Sequence, residues 1–278
     1  MSRLKNAAVL SVSALTALAL AACGSEAGPS SNESKQPSVL ELLASDLKGS
    51  LQKIANNTDS VDSVSVKVEG TAGGEKLTMQ GAMDLRDPVK AEMTVTDATG
   101  TTKTVRMIGT AFYVEVGPEE RADLDGKRWV KMDLSAASAQ AGMEFTKQFE
   151  DIDPAKQVKT LLATEGITVV GEETVNGVRT VHYSVTAPLT TYLGQLDAEA
   201  RKTVEQELNK NGIKDVKVDI WADEQYLPRR TRVVMGTISD ITVDYTDYGK
   251  PVNVEAPPAS ETVDLLEMLK NLKDLVGN

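Results

Sequence analysis

The sequence predicts an α+β fold built on a long antiparallel sheet of about 11 strands, accompanied by four helices. Short segments alternate apolar and polar residues with a period of two, as strands with one buried face do. Turn-forming residues separate these segments. No alternation of strands with helices is present, which argues against a doubly wound parallel sheet.

The N-terminus has the pattern of an export signal. Two basic residues, Arg3 and Lys5, precede an uncharged apolar run at 7–22. This run is shorter than the roughly 20 residues that a membrane-spanning helix needs. It ends in Leu-Ala-Ala directly before Cys23, the only cysteine, and this ending closely resembles a bacterial lipobox. We therefore expect a lipoprotein signal peptide over 1–22 and acylation of Cys23, for example by palmitate.

The segment after the cysteine differs from the rest of the chain. Residues 23–37 are rich in Ser, Gly, Pro and polar residues, which predicts a flexible tether. No strong linker divides residues 38–278, so we expect a single domain there. Because no second thiol exists, no intramolecular disulfide can form. The expected location is the outer face of the cytoplasmic membrane, reached by secretion and kept by the acylated cysteine.

The folded part opens with a predicted helix followed by a meander. Apolar residues recur at near-helical spacing from Val39 to Ile54. Ser38 and Glu41 have the spacing of a capping box. The period then changes to two for about six strands joined by tight turns.

One face of this meander is apolar and rich in methionine. The chain contains nine Met but only three Phe and two Trp, and unbranched Met side chains adapt to irregular shapes. Such a face can line a cavity for acyl chains, or it can form a closed core under packed helices. The residues assigned to this face are Val64, Val66, Val68, Leu77, Met79, Met83, Leu85, Met93, Val95 and Met107.

The second half of the chain contains helices, hairpins and a C-terminal amphipathic segment. Residues 136–150 are ambiguous, and a short helix begins at Pro154. Asn176-Gly177 between two alternating segments predicts a hairpin. A longer helix ends at Asn211-Gly212, and further strands follow. An apolar stripe that begins at Val263 predicts a C-terminal amphipathic helix.

Composition and motifs argue against several classes of function. The formal charge of −11 disfavours nucleic-acid binding, which needs basic patches. The single histidine, His182, lies on the polar side of a predicted strand, where a solvated or hydrogen-bonded role is expected. The acidic pairs Glu119/Glu120 and Glu172/Glu173 fall in turn-like segments and are expected to be solvated. We therefore expect no enzyme, no metal site and no cofactor.

Two local motifs carry a family resemblance. Asp-Ile-Trp-Ala-Asp at 219–223 is followed by Leu-Pro-Arg-Arg at 227–230, and Asp-Tyr-Thr-Asp-Tyr-Gly-Lys-Pro-Val occupies 244–252. Together with the order of elements, they resemble the LppX/LprAFG family of actinobacterial lipoproteins, whose fold is similar to that of the carrier LolA. The resemblance implies a strongly curved, open half-barrel with helices across its concave face. It also implies an apolar cavity for acyl chains, and it carries over no catalytic residue.

The expected function follows from the signal, the apolar face and the resemblance. A membrane-anchored extracytoplasmic lipoprotein would bind lipid or glycolipid acyl chains in its cavity, for lipid transport across the envelope. It would contact the membrane through Cys23 and act as a monomer. The alternative is a non-catalytic envelope protein that binds or regulates a membrane partner protein.

Overall fold

A sheet of 12 strands forms the framework of the protein. The computed structural model describes residues 38–133, 154–162, 164–193, 205 and 208–268. The helices are α1 (Val39–Ser45), α2 (Leu47–Asp59), α3 (Pro154–Leu162) and α4 (Leu189–Tyr192). The strands are β1 (Ser63–Ala72), β2 (Glu75–Asp84), β3 (Lys90–Thr96), β4 (Thr102–Ile108), β5 (Ala111–Glu115), β6 (Trp129–Asp133), β7 (Thr168–Val175), β8 (Val178–Pro188), β9 (Asp215–Asp223), β10 (Pro228–Met235), β11 (Ser239–Thr246) and β12 (Thr262–Asp264).

The strand order confirms the α+β class and the open, curved sheet. It runs β12-β6-β5-β4-β3-β2-β1-β11-β10-β9-β8-β7, so β12 and β7 are edges and the sheet does not close. All neighbours are antiparallel except β12 and β6, which are parallel. The prediction of about 11 antiparallel strands is confirmed except at β12, where Val263 lies in a three-residue strand parallel to β6 rather than at the start of a helix. Helical residues follow at 265–268, and the remainder of the predicted C-terminal helix lies outside the described residues.

The opening helix is two helices rather than one. Ser38 and Glu41 form the predicted capping box, with the Glu41 N–H 3.1 Å from Ser38 Oγ and the Ser38 N–H 2.7 Å from Glu41 Oε2. The chain then breaks at Asp46, where φ is −111° and ψ is 76°. The Asp46 carboxylate accepts from the Gly49 N–H at 3.0 Å and so caps α2. Apolar spacing alone continues through this break and could not reveal it.

The two faces of the sheet differ in character. We call the face that carries Val64, Val66 and Val68 the apolar face, and the opposite one the polar face. On the apolar face, α1, α2 and α3 pack over β8 and β9 and form the helix-covered cluster. There the Tyr183 hydroxyl donates to the Leu43 carbonyl at 2.8 Å, which ties α1 to β8. The buried members of this cluster are Leu40, Leu43, Leu51, Ile54, Ala55, Val158, Val181, Tyr183, Val185, Leu189, Leu193, Val216, Val218, Ile220 and Ala222.

A strap at 247–261 carries the chain from β11 to β12, next to β6. It begins where the Ser63 hydroxyl donates to the Lys250 carbonyl at 2.6 Å. It continues over the polar face, where Arg106 Nη1 contacts the Glu255 carbonyl at 3.3 Å. The strap therefore brings β12 to the far edge of the meander. None of the described helices is long and apolar enough to cross a membrane.

Candidate functional site

Most of the predicted lining residues come together on the apolar face. Val64, Val66, Val68, Met83, Met93 and Met107 are buried members of one group, the meander cluster, together with Ala91, Phe112, Val243 and Tyr245. Met79 and Leu85 pack against it and are partly buried. Leu77 and Val95 are half-buried and lie outside the cluster, although their register places them on the same face. Cys23, the predicted acylation site, lies outside the described residues.

Strand register arranges the meander cluster in rows across the sheet. The central row passes from Tyr245 through Val66, Gly81 and Met93 to Val105. A parallel row holds Val64, Met83, Ala91, Met107 and Phe112. From β11 to β5 the face spans six strands, or about 24 Å at about 4.8 Å per spacing. The result is a continuous apolar surface rather than scattered side chains.

Two glycines on this face allow the sheet to curve. A Cβ on Gly81 would collide with the Glu92 carbonyl oxygen of the neighbouring strand. A Cβ on Gly70 would collide with the Asp240 carbonyl oxygen in the same way. Because neither residue has a side chain, the adjacent backbones can bend toward the apolar face. The close approach of these backbones therefore has a local cause in the sequence.

The meander cluster consists of residues from the sheet and its loops. The described helices contribute to the helix-covered cluster and supply no member of this one. At the boundary between the two clusters, the Tyr245 hydroxyl lies 3.2 Å from Thr231 Oγ1, which gives this buried hydroxyl a hydrogen-bond partner. The members are otherwise aliphatic, thioether or phenyl groups, which suit binding by apolar area rather than acid–base chemistry.

A polar network occupies the other face behind β8 and β9. His182 Nδ1 lies 2.9 Å from Glu173 Oε1, and its Nε2 lies 2.8 Å from Asp219 Oδ1. The His182 ring stacks on Trp221 with centroids 4.1 Å apart and planes inclined by 16°. The Trp221 indole N–H donates to Glu173 Oε2 at 2.7 Å. Both ring nitrogens of His182 therefore meet carboxylates, and only the protonated ring can donate to both.

Hydrogen bonds within this network favour the charged carboxylates. The Trp221 indole and then His182 hold the pKa of Glu173 below its usual range. Burial raises the pKa of Asp219, but hydrogen bonds from Ser184, His182 and Lys217 outweigh it, so the net pKa is lowered. Lys217 Nζ lies 3.0 Å from Asp219 Oδ2 and partners the second oxygen of this buried carboxylate. In the described part of the chain, no group of three acidic, His or Cys side chains is arranged to hold a metal ion.

The tip of the β7–β8 hairpin reaches over the polar face. A bulge between Val169 and Gly171 interrupts the register of β7, and such bulges bend a strand. At the turn, Asn176 has φ of 49°, and its side-chain amide donates to Asp244 Oδ2 on β11 at 3.1 Å. The hairpin is thus fixed to a strand three places away in the sheet order.

The polar network confirms the prediction for His182 and corrects the one for Glu172 and Glu173. His182 lies on the polar side of a strand and is hydrogen-bonded, as predicted. Glu172 and Glu173 lie within β7 rather than in a turn. The Asn176-Gly177 turn could have shown that Glu173 lies in a strand, because a two-residue loop puts Glu173 opposite Thr180 and beside His182. Glu120, also expected to be solvated, begins a short 3-10 helix and pairs with Lys103 at 3.1 Å.

Two Streptomyces proteins are similar to this chain in sequence. An uncharacterised 31.2 kDa protein from the rplA–rplJ intergenic region of Streptomyces griseus is 33% identical over 231 residues, which cover 74% of this chain and 75% of the relative. A candidate lipoprotein of Streptomyces coelicolor is 31% identical over 238 residues, covering 79% and 75%. No protein-family profile matches the sequence.

Two solved structures have a similar fold. The lipoprotein LppX of Mycobacterium tuberculosis superposes with a TM-score of 0.50 at 15% identity, covering 76% of this chain and 98% of LppX. LprF of Mycobacterium bovis gives a TM-score of 0.53 at 13% identity, covering 77% and 98%. At these identities the likeness concerns the fold, and it confirms the fold that the sequence motifs had indicated.

Proposed function

The chain belongs to the family of its two Streptomyces relatives and has the fold of the actinobacterial lipoproteins LppX and LprF, and we propose that it binds acyl chains of lipid or glycolipid on its apolar face. The meander cluster is the observation that carries this proposal. It is a continuous apolar cluster across six strands, and Met83, Met93 and Met107 are buried in it. Its members come from strands and loops, and the described helices belong to the neighbouring cluster.

The chemistry of the cluster suits a flexible apolar ligand. Each CH₂ removed from water contributes about 0.8 kcal/mol, so about ten buried CH₂ groups would contribute about 8 kcal/mol before the costs of association. Methionine side chains can adjust to ligands of different length or branching. Binding by area requires no catalytic group, which fits the non-enzymatic role proposed here. Because such a site performs no chemistry, it can release the lipid unchanged, as transport across the envelope requires.

Anchoring is the second part of the proposal. The signal over 1–22 would be removed, Cys23 would be acylated, and the tether at 23–37 would join it to the domain at 38–278. A flexible tether of this length has a mean span of about 20 Å, at about 5–6 Å times the square root of its length. The apolar face would therefore stay close to the leaflet that holds the anchor. Replacing Cys23 with Ser should move the protein from the membrane fraction to the soluble fraction.

Lipid extraction and a matched pair of variants test acyl binding. Residues 24–278 are produced without the anchor, and lipids that copurify are identified by mass spectrometry before uptake of a fluorescent fatty acid is measured. Met93→Trp fills the apolar face, whereas Thr94→Trp puts the same side chain on the opposite face of β3. We expect Met93→Trp to weaken acyl binding about tenfold, or about 1.4 kcal/mol, while Thr94→Trp leaves it unchanged.

The same two variants also test whether the meander cluster is a closed core without room for a ligand. In that case the protein would contain no lipid and take none up. Met93→Trp would then destabilise the fold by about 1–3 kcal/mol, the usual cost of overpacking. That combination would overturn the proposal and favour a partner-binding envelope protein.

A further inference from the structure

A groove crosses the polar face on the side opposite the proposed acyl site. It runs over β1, β11, β10 and β9, and its volume is about 520 Å³. Three interstrand spacings give it a length of about 14 Å. Its walls combine hydroxyl, guanidinium and carboxylate groups with one indole. The residues that define it are Glu69, Thr71, Trp221, Arg230, Arg232 and Thr242.

The charges of this groove are neutralised in pairs. Arg232 makes a two-pronged contact with Asp240 at 2.8 and 2.6 Å. Arg230 makes the same contact with Asp244 at 2.5 and 2.8 Å. Glu69 pairs with a neighbouring lysine at 2.9 Å. Because no excess of either sign remains among these groups, the groove favours a neutral polar ligand over an ion.

The paired groups retain capacity for hydrogen bonds. A guanidinium has five N–H donors, and each arginine here uses two of them on its carboxylate partner. A carboxylate oxygen has lone pairs beyond those used in such a pair. A ligand hydroxyl group can accept a hydrogen bond from the guanidinium and donate one to the carboxylate. A ligand with adjacent hydroxyls can therefore satisfy both sides of an Arg–Asp pair at once.

Trp221 provides an apolar surface at one end of the groove. Stacking on His182 fixes the position of its ring, and Glu173 fixes its rotation through the indole N–H. Trp221 is 8% exposed and borders the groove at the end formed by β9. The small exposed part of this ring offers an apolar contact for a C–H group of a sugar.

The cost of the supporting network indicates that it does more than join strands. Asp219 is 1% exposed and ionised, and burying such a charge is expensive even when it is paired. Apolar residues would hold β8 and β9 together at least as well. What the network adds is a fixed orientation for Trp221, as a preformed binding site requires.

From these features we infer that the groove is a binding site for a neutral carbohydrate, long enough for a short oligosaccharide. The sugar could be the head group of a glycolipid or part of a surface polysaccharide. The site is separate from the acyl-binding face, so either proposal can fail without the other.

Nuclear magnetic resonance titration of residues 24–278 tests the groove. Linear tetrasaccharides of glucose, mannose and galactose are added in turn. We expect one of them to give saturable shifts of the Trp221 indole N–H and the backbone amides of Arg230 and Thr242. The apparent affinity should be unchanged by added salt, since the ligand is neutral. No saturable shift with any sugar, or binding that salt abolishes, would overturn the inference.

Two variants and one control locate the site. Thr242→Trp fills the groove and should weaken binding at least tenfold while leaving uptake of the fluorescent fatty acid intact. Arg232→Lys keeps the charge but loses the planar fork, and it should weaken binding severalfold. Thr94→Trp, elsewhere on the polar face, should bind as the wild type does. Equal binding by Thr242→Trp and the wild type would contradict the assignment.

Vesicles separate the two sources of the sugar. Phosphatidylcholine vesicles with and without a glycolipid carrying the same sugar are compared with the soluble tetrasaccharide. Binding at least tenfold tighter to the glycolipid vesicles than to the soluble sugar supports a head group, and equal or weaker binding to the vesicles supports a polysaccharide. Binding to neither, or vesicle binding that Thr242→Trp leaves intact, would overturn the inference.

Discussion

The two clusters on the apolar face are buried to the same degree but are built differently. The buried members of the helix-covered cluster are branched aliphatic residues, alanines and one tyrosine, and none of those described is methionine. The meander cluster contains Met83, Met93 and Met107 and, among described residues, takes no member from a helix. Branched side chains have few rotamers and interlock, whereas methionine adapts. Similar burial can therefore accompany a rigid cluster in one half and an adaptable cluster in the other.

Truncating one residue in each cluster gives the largest expected contrast. Ile220 is 0% exposed and Met93 is 1% exposed, so burial alone predicts similar losses. We expect Ile220→Ala to lower the free energy of unfolding by about 3–4 kcal/mol, since a rigid core cannot collapse around the cavity. Met93→Ala should cost only about 1–2 kcal/mol, below the usual range for such a change, because an adaptable surface relaxes. Urea denaturation of both variants, stripped of lipid, measures the difference, and equal losses would abolish the contrast.

Curvature supplies a second difference between the halves. Gly81 lies in the central row of the meander cluster, and its missing side chain makes room for the Glu92 carbonyl. We expect Gly81→Ala to destabilise the fold by about 2 kcal/mol through this backbone collision. Gly117→Ala is the control, because its Cβ would have its nearest contact, with a Glu120 oxygen, at an ordinary 3.6 Å.

The control should unfold within about 0.5 kcal/mol of the wild type. Thermal unfolding followed by circular dichroism compares the two glycine variants. A Gly81→Ala protein as stable as the control would mean that the strands can move apart, and that glycine is not what sets the curvature.

Lowering the pH should remove a smaller contribution to stability, which the polar network makes through Glu173. The pKa of Glu173 is lowered by its hydrogen bonds to Trp221 and His182. Its contribution to stability is therefore complete above the ordinary glutamate pKa and is lost as the pH falls through the lowered value. Because almost half of the Glu173 side chain is exposed, we expect that contribution to be only about 1 kcal/mol.

Glu173→Gln separates this contribution from general acid unfolding. The variant should be less stable than the wild type at neutral pH, and the difference should shrink as the pH is lowered through the acid range. Hydrogen exchange should show faster opening of β7 and β8 in the variant, with the meander strands unchanged. A constant difference at all pH values would show that the Glu173 charge is not involved.

Local signals in the sequence predicted the hairpins and most of the apolar face. The capping box at Ser38, the turn at Asn176-Gly177 and the alternation around Val66 each depend on neighbouring residues, and the structure has all three. The break at Asp46 escaped detection because the apolar spacing continues across it. The parallel strand at Val263 was also not predicted, because three residues are too few to show an alternating pattern and their partner strand is distant in sequence.

The polar network likewise depends on contacts between strands that the sequence alone does not reveal. The position of His182 on the polar side of a strand followed from alternation. Its two carboxylate partners come from different neighbouring strands, β7 and β9, and Trp221 comes from β9. Only the order of strands in the sheet brings these residues together, and a single sequence does not contain that order. The candidate groove behind them was therefore invisible before the structure.

The pairing of β1 with β11 has a consequence for the time at which the protein can fold. Ser63, at the start of β1, bonds to Lys250, 187 residues later. Contacts that close such long loops form slowly, because their entropy must be lost before they stabilise anything. Until β11 arrives, the first strand has β2 as its only neighbour and the meander remains an open sheet. Because β11 ends at Thr246, the two halves of the sheet can join through the β1–β11 ladder only after most of the chain has been made.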